Sequence, residues 1–173
     1  MLDEAFWKVD TPIEKSVGGD VDNRAAFDVV WDGHTMVVAF RVADDKVVTE
    51  SKEPWNNDSV EVFLDYRSDR ETVYNADDRR IVVDASGRMH VVGLERHIQK
   101  AAKRTDGGYT VEIAITGWNM GGYDSFKGRV IGFDVACNDS DSGGDRRDGR
   151  VVWRGTADNE TDPSGFGTIL FPE

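Results

Sequence analysis

This sequence predicts an all-β chain folded as an antiparallel, jelly-roll-like β-sandwich with long loops. Three observations carry that reading. Short runs rich in Val, Ile and Phe recur nine times, and Gly, Asp and Asn punctuate them at short intervals. Nowhere do strands alternate with helical patterns in the rhythm of a parallel α/β fold. A length of 173 residues suits one domain and can bury a core without staples, so residues 1–173 are read as a single unit.

The runs "AAFDVVWD" and "TMVVAFRVAD" are joined by Asp32-Gly33-His34, a hairpin turn. Residues 53–66, "EPWNNDSVEVFLDY", place Trp55 in a Pro-Trp-Asn-Asn turn ahead of a strand in which Val60 and Phe63 mix with Glu61 and Asp65. A large apolar ring in such a turn has no evident core to enter. "RRIVVDAS" and "RMHVVG" form a second hairpin turning at Ser86-Gly87, and "GYTVEIAI", "RVIGFDVACND", "RVVWRG" and "GTILF" complete the strands. Residues 94–103 carry the one helical hint. "ITGWNMGGYDSFKG" reads as a loop, as does the Gly/Asp-rich "NDSDSGGDRRDG".

The formal net charge of −12 removes the basic face that nucleic acid or an anionic membrane surface would need. Solubility accounts for such a charge, and carboxylate-rich loops also invite cations. One cysteine, Cys137, excludes an internal disulfide and a cysteine-based metal site; its run makes it a small core residue. No apolar stretch approaches the ~18 residues of a membrane helix, and no charged and apolar leader opens the chain. The start "MLDEAFW" reads as a domain cut from a larger protein with Met1 added.

The blocks "PWNNDSVEVFLD", "RRIVV", "GGYTVEIAI-x-x-W", "IGFDVACND" and "DPSGFGTILF" occur in an order and spacing that resemble family 9 carbohydrate-binding modules, over nearly the whole chain. The resemblance implies a non-catalytic sugar-binding sandwich, secreted and attached to a glycoside hydrolase. It also implies binding of cellulose or xylan chain ends between two tryptophans, with calcium as a structural ion. It makes Trp55 the first clamp ring, and Glu61 and Arg80 the readers of sugar hydroxyls. It also exposes departures. Glu160 stands where the second clamp tryptophan would be, and Ala136 and Ala157 replace a glutamine and an asparagine. Trp7, Trp31, Trp118 and Trp153 fall on positions with core or strand roles, leaving Tyr74 and Tyr123 as substitute platforms. Asn138 and Asp139 look like loop-shaping residues or metal ligands.

The chemistry is sensible apart from any family. A pyranose has an apolar C–H face that matches an aromatic ring, worth ~0.5–1.5 kcal/mol beyond area burial if it resembles aromatic pairing. A hydrogen bond to a charged group adds ~1.5–3 kcal/mol, and a Glu/Arg pair both accepts from and donates to a hydroxyl. Glu160 is positioned to bond a differently posed or charged sugar.

For a cation, "DSDSGGD" (139–145) has the Asp-x-Asp and Gly spacing of a calcium loop, but the twelfth position is Arg150. Asp139, Asp141 and Asp145 are the candidate ligands, with Asp44, Asp45, Asp77 and Asp78 as further carboxylates. No histidine lies beside a nucleophile motif, and Asp58 and Glu61 sit three apart on one strand, so catalysis is not expected. Two other readings compete: a structural or interaction sandwich that has lost its sugar slot, and a haem sandwich. Ordinary core packing explains Met36 and Met89 better than axial ligation does.

Overall fold

The computed structural model describes residues 8–93, 97–117 and 125–173. Among these, β1 (Thr11–Ile13), β3 (Arg24–Trp31), β4 (Thr35–Ala43), β9 (Gly108–Thr116) and β8 (Ile98–Thr105) form one antiparallel sheet in that order. The second sheet runs β2 (Lys15–Gly19), β11 (Gly149–Val152), β10 (Val130–Asp139), β5 (Ser59–Asp65), β6 (Asp78–Asp84) and β7 (Met89–Val92), with β12 (Gly167–Leu170) also on β10. The expected sandwich is therefore present. β10 pairs along its length with β5 and, on its other edge, with β12 through Val130–Phe133 and with β11 through Ala136–Asp139.

Side-chain alternation builds the core. Val60, Val62 and Leu64 of β5, Ile81 and Val83 of β6, and Ile131, Phe133, Val135 and Cys137 of β10 point inward. They meet Met36, Val38, Phe40 and Val42 of β4 and Tyr109, Val111, Ile113 and Ile115 of β9. Cys137 is buried, as expected, and burial pushes its thiol up. Both expected hairpins form: Trp31 pairs with Met36 across a turn with Gly33 at positive φ, and Val83 pairs with Met89 across one with Gly87 likewise.

Three strands were not expected. β1 and β2 are short, and β1 contains a proline; β8 occupies residues 98–105, over most of the stretch that hinted at a helix. Residues 94–96 lie outside the described residues. β8 sits at a sheet edge and pairs with β9 alone. Its core-facing positions are Ile98 and Ala102, and between them Lys100 Nζ donates to the Gly87 carbonyl. An edge strand that carries an exposed lysine between these apolar positions resists pairing with another chain, and it hides the apolar alternation by which strands are read. Trp31 packs edge-on against Phe171, and Trp153 against Phe27 and Phe133, so both serve the sandwich as the strand reading held. Trp7, Trp118 and Tyr123 lie outside the described residues.

Candidate functional site

The face of the second sheet that turns away from the core carries a diagonal of polar residues. The register sets Glu61 opposite Val82 and Ala136, Arg80 opposite Phe63, and Asn138 opposite both Ser59 and Arg150. Four neighbouring strands thus supply Arg80, Glu61, Asn138 and Arg150 to one side. Beneath them Phe63, Ala136, Val152 and Phe166 make a second small apolar cluster, with Tyr74 packed against it. The Arg150 guanidinium lies 5.4 Å from the Phe63 ring centroid.

Glu61 is the centre of this arrangement. Arg80 Nε donates to Glu61 Oε2 at 2.6 Å, Asn138 Nδ2 donates to Oε1 at 2.8 Å, and Arg150 Nε stands 3.8 Å from Oε1. Burial alone would push this carboxyl up. The charges of Arg150 and Arg80, with the hydrogen bonds from Arg80 and Asn138, prevail and hold it at about 2. Glu61 is fully buried, so it orients two guanidiniums and does not itself meet solvent. Asn138, expected to shape a loop or bind metal, instead belongs to this network.

Trp55 reaches the same place from a short 3-10 turn, Pro54–Asn56. The following residue fixes that turn. Asn57 Oδ1 accepts from the Ser51 N–H, and Nδ2 donates to the Ser51 and Glu53 carbonyls and to Asp84 Oδ2. The half-buried indole meets His90 edge-on at 4.8 Å between ring centroids, and the Arg80 guanidinium carbon lies 5.6 Å from its centroid. The structure therefore brings Trp55, Arg80 and Glu61 together, as the sequence reading required. His90, read from sequence only as a strand residue, buttresses the ring from β7.

Glu160 joins them. Its Oε2 lies 3.4 Å from Arg80 Nη2, 3.4 Å from Arg150 Nη1 and 3.9 Å from Arg147 Nη2. Arg147 also donates weakly to the Trp55 carbonyl at 3.5 Å, and burial with the neighbouring Arg150 charge pushes its own guanidinium down. Arg147 and Arg150 come from the loop and strand that sequence reasoning examined for calcium. The signal that could have identified them is the basic pair's proximity, through β10 and β11, to Glu61. Side-chain exposure falls from 36% at Glu160 through 25% at Arg147, 10% at Arg80 and 3% at Arg150 to zero at Glu61. Glu160 is the solvent-side member of the cluster. Tyr74 gives its hydroxyl to the Asn159 carbonyl and meets Phe166 edge-on, so it supports the 156–161 segment from below.

The departures have structural consequences. Ala136 is buried against Phe63, Val152 and Phe166, where a glutamine amide would have no room to stay solvated. Ala157 is exposed and offers only its carbonyl, to Arg150 Nη1 at 3.4 Å.

The acidic candidates divide. Carboxylate oxygens of Asp22, Asp44 and Asp139 lie within 4.8 Å of one another, as do those of Asp44, Asp45 and Asp141. Asp65, Asp69 and Asp77 form a third group. Asp139 and Asp141 are thus in clusters. Among the described residues Asp145 is in none; it accepts from Ser51 Oγ at 3.1 Å instead. The 139–148 loop is closed by Asp148, which accepts from the N–H groups of Asp141 and Ser142 and from the Ser142 hydroxyl. Asp44 Oδ2 and Asp139 Oδ1 are buried without a hydrogen-bond partner, as are Asn23 Oδ1 and Ser140 Oγ on adjacent residues. Burial, reinforced by the charges of Asp22 and Asp44, raises Asp139 to about 6. Asp58, whose carboxylate accepts from the Val48 and Ser140 N–H groups, faces away from Glu61's network, so the two do not form a catalytic pair.

Comparison with known proteins agrees with this architecture. The structure superposes with a TM-score of 0.87 on a carbohydrate binding module family 9 protein from Caldicellulosiruptor kristjanssonii in complex with glucose, at 26% identity, covering 99% of this chain and 88% of that one. A carbohydrate binding module family 9 protein from the same organism in complex with cellotriose matches with a TM-score of 0.87 at 24% identity, over 99% of this chain and 87% of that one, a likeness of fold. In sequence the chain is 32% identical over 173 residues to Exoglucanase XynX of Acetivibrio thermocellus, covering 98% of this chain. It is 31% identical over 175 residues to Endo-1,4-beta-xylanase A of Thermotoga maritima, covering 97%. It spans only 16% of the length of either. Residues 1–172 match the family described as carbohydrate family 9 binding domain-like, and the chain belongs to that family of binding modules.

Proposed function

We propose that residues 1–173 are one non-catalytic module that binds plant-cell-wall oligo- or polysaccharide, of the β-glucan or xylan type, by stacking a sugar on Trp55. The observation that carries this is the partly open indole beside Arg80, held in place by Asn57 and His90. Arg80, whose guanidinium carbon lies over the ring 5.6 Å from its centroid, offers hydroxyl-reading donors there, and Glu61 fixes Arg80. The kinship with glucose- and cellotriose-bound modules and with parts of xylanases supports the substrate class. The same relatives, an exoglucanase and a xylanase by name, support attachment to a glycoside hydrolase, and a polymeric wall substrate calls for a secreted protein.

Calcium fits the Asp22–Asp44–Asp139 group and its neighbours Asp45 and Asp141. Buried carboxylate and amide oxygens without donors are ligands for a hard cation. Bound there, the ion would neutralise converging carboxylates and tie the 139–148 loop to the β3 and β4 ends.

The test is calorimetry and thermal shift against cello- and xylo-oligosaccharides, with Trp55→Ala beside the parent chain. Binding that disappears in the variant at unchanged fold supports the platform. A melting temperature indifferent to every glycan offered favours the rival reading, a sandwich retained for interaction alone.

A further inference from the structure

We infer that the slot beside Trp55 takes an acidic sugar, a uronic-acid residue, and that the Glu160 carboxylate occupies the position of the sugar's own carboxylate until it arrives. This rests on the sugar-binding reading above and narrows it.

Three guanidiniums, Arg80, Arg147 and Arg150, converge on two carboxylates, so the site keeps a net charge of +1 within a chain of net charge −12. Glu61 is spoken for, with Arg80 and Asn138 donating to its two oxygens at 2.6 and 2.8 Å. The uncompensated positive charge faces Glu160. Donors also remain: Arg80 Nη2 and Arg150 Nη2 are buried and lack a hydrogen-bond partner, on side chains that are nine-tenths or more buried, while Arg150 Nε faces Glu61 Oε1 at 3.8 Å. A guanidinium can only donate, so the missing partner is an acceptor, and the planar fork suits a carboxylate.

Glu160 satisfies this demand poorly. Its contacts with the three arginines range from 3.4 to 3.9 Å, against 2.6 Å for Arg80 and Glu61, and its side chain is the most exposed of the five. A loosely held, solvent-side carboxylate over a buried cationic floor is replaceable. A uronate ring stacked on Trp55 would bring its carboxylate to the guanidinium that lies 5.6 Å from the indole centroid, displace Glu160 into solvent and fill the open donors. A neutral hexose can stack but leaves the charge unanswered.

The experiment compares methyl β-glucuronide with methyl β-glucoside by NMR titration of the indole N–H signals, assigned with a Trp55→Phe variant. It is run on the parent chain and on Glu160→Gln at about 20 and about 200 mM salt. Expected is tighter binding of the glucuronide by about tenfold or more at low salt, weakening as salt rises. In Glu160→Gln, where the competing carboxylate is gone, the glucuronide binds several-fold tighter still, so its margin over the glucoside widens. Equal binding of the two sugars, or a preference that Glu160→Gln leaves unaltered, overturns the inference and leaves the sugar platform standing. No response of the Trp55 signal to either sugar or to cello- and xylo-oligosaccharides removes the platform itself.

Discussion

Arg80 Nε lies 2.6 Å from Glu61 Oε2 on the outward face of the second sheet, in a pair where the acid is sealed from water and the base nearly so. Breaking a buried ion pair leaves a charge without its partner, at a cost of about 3–5 kcal/mol. Glu61→Gln strands both Arg80 and Arg150. The variant should therefore melt well below the parent at neutral pH. Glu61 is depressed from its ordinary 4.5 to about 2. Its contribution is therefore complete above pH 4.5 and disappears as pH falls through about 2. Melting temperatures of the two proteins should converge over that window; a gap independent of pH would show that packing and not charge is lost.

The turn that carries Trp55 depends on Asn57. Four hydrogen bonds converge on its buried amide, one of them reaching Asp84, which also caps the β6–β7 hairpin through the N–H groups of Ser86 and Arg88. Asn57→Ala should cost about 1–3 kcal/mol by leaving these groups unpaired. It should also weaken glycan binding more than His90→Ala does, because the ring loses its mounting and not merely a neighbour. Thermal melts and oligosaccharide titrations of both variants decide this.

Which parts of the molecule could be read in advance follows from where each residue's partners lie. β4, β5, β6, β9 and β10 are interior strands whose apolar alternation is dictated by the core, and their sequences show it. β1, β2 and β8 are all sheet edges, where one ladder is missing and polar residues such as Lys100 are tolerated or useful. The same contrast holds in the site. Trp55, Glu61 and Arg80 sit in two contiguous motifs, on a turn and on the adjacent strands β5 and β6, and can be picked out there. Arg147 and Arg150 enter from a loop and strand about 90 residues on, drawn in by the β10–β11 pairing, and nothing local in "DRRDGR" announces it. The acidic loop divides for a related reason: Asp139 and Asp141 fall in carboxylate clusters, whereas Asp145 shares the spacing but is turned toward Ser51.

Calcium should stabilise the chain, and the choice of variant tells which carboxylates hold it. Asp139→Asn and Asp44→Asn should abolish most of the rise in melting temperature that calcium gives over chelator. Asp145→Asn should leave that rise intact, since Asp145 is outside both clusters that share Asp44. At a hundredfold excess over the dissociation constant the stabilisation is about 2.7 kcal/mol. An equal loss in Asp145→Asn would restore the loop reading taken from sequence.

Glu160→Trp would place an aromatic ring where the family resemblance puts its second clamp. Because Glu160 is partly exposed and its ion pairs are long, losing them should cost no more than about 1 kcal/mol of stability. A second ring adds about 0.5–1.5 kcal/mol of stacking beyond the area it covers, enough for a gain of several-fold to about tenfold in affinity for a neutral disaccharide. Calorimetry with cellobiose should show that gain, and it should vanish again when Trp55→Ala is added, since a clamp needs both faces. A folded Glu160→Trp protein with no better grip on cellobiose would show that a second ring alone does not make the clamp and would point to Ala136, which packs with Phe63, Val152 and Phe166 where the family resemblance puts a glutamine.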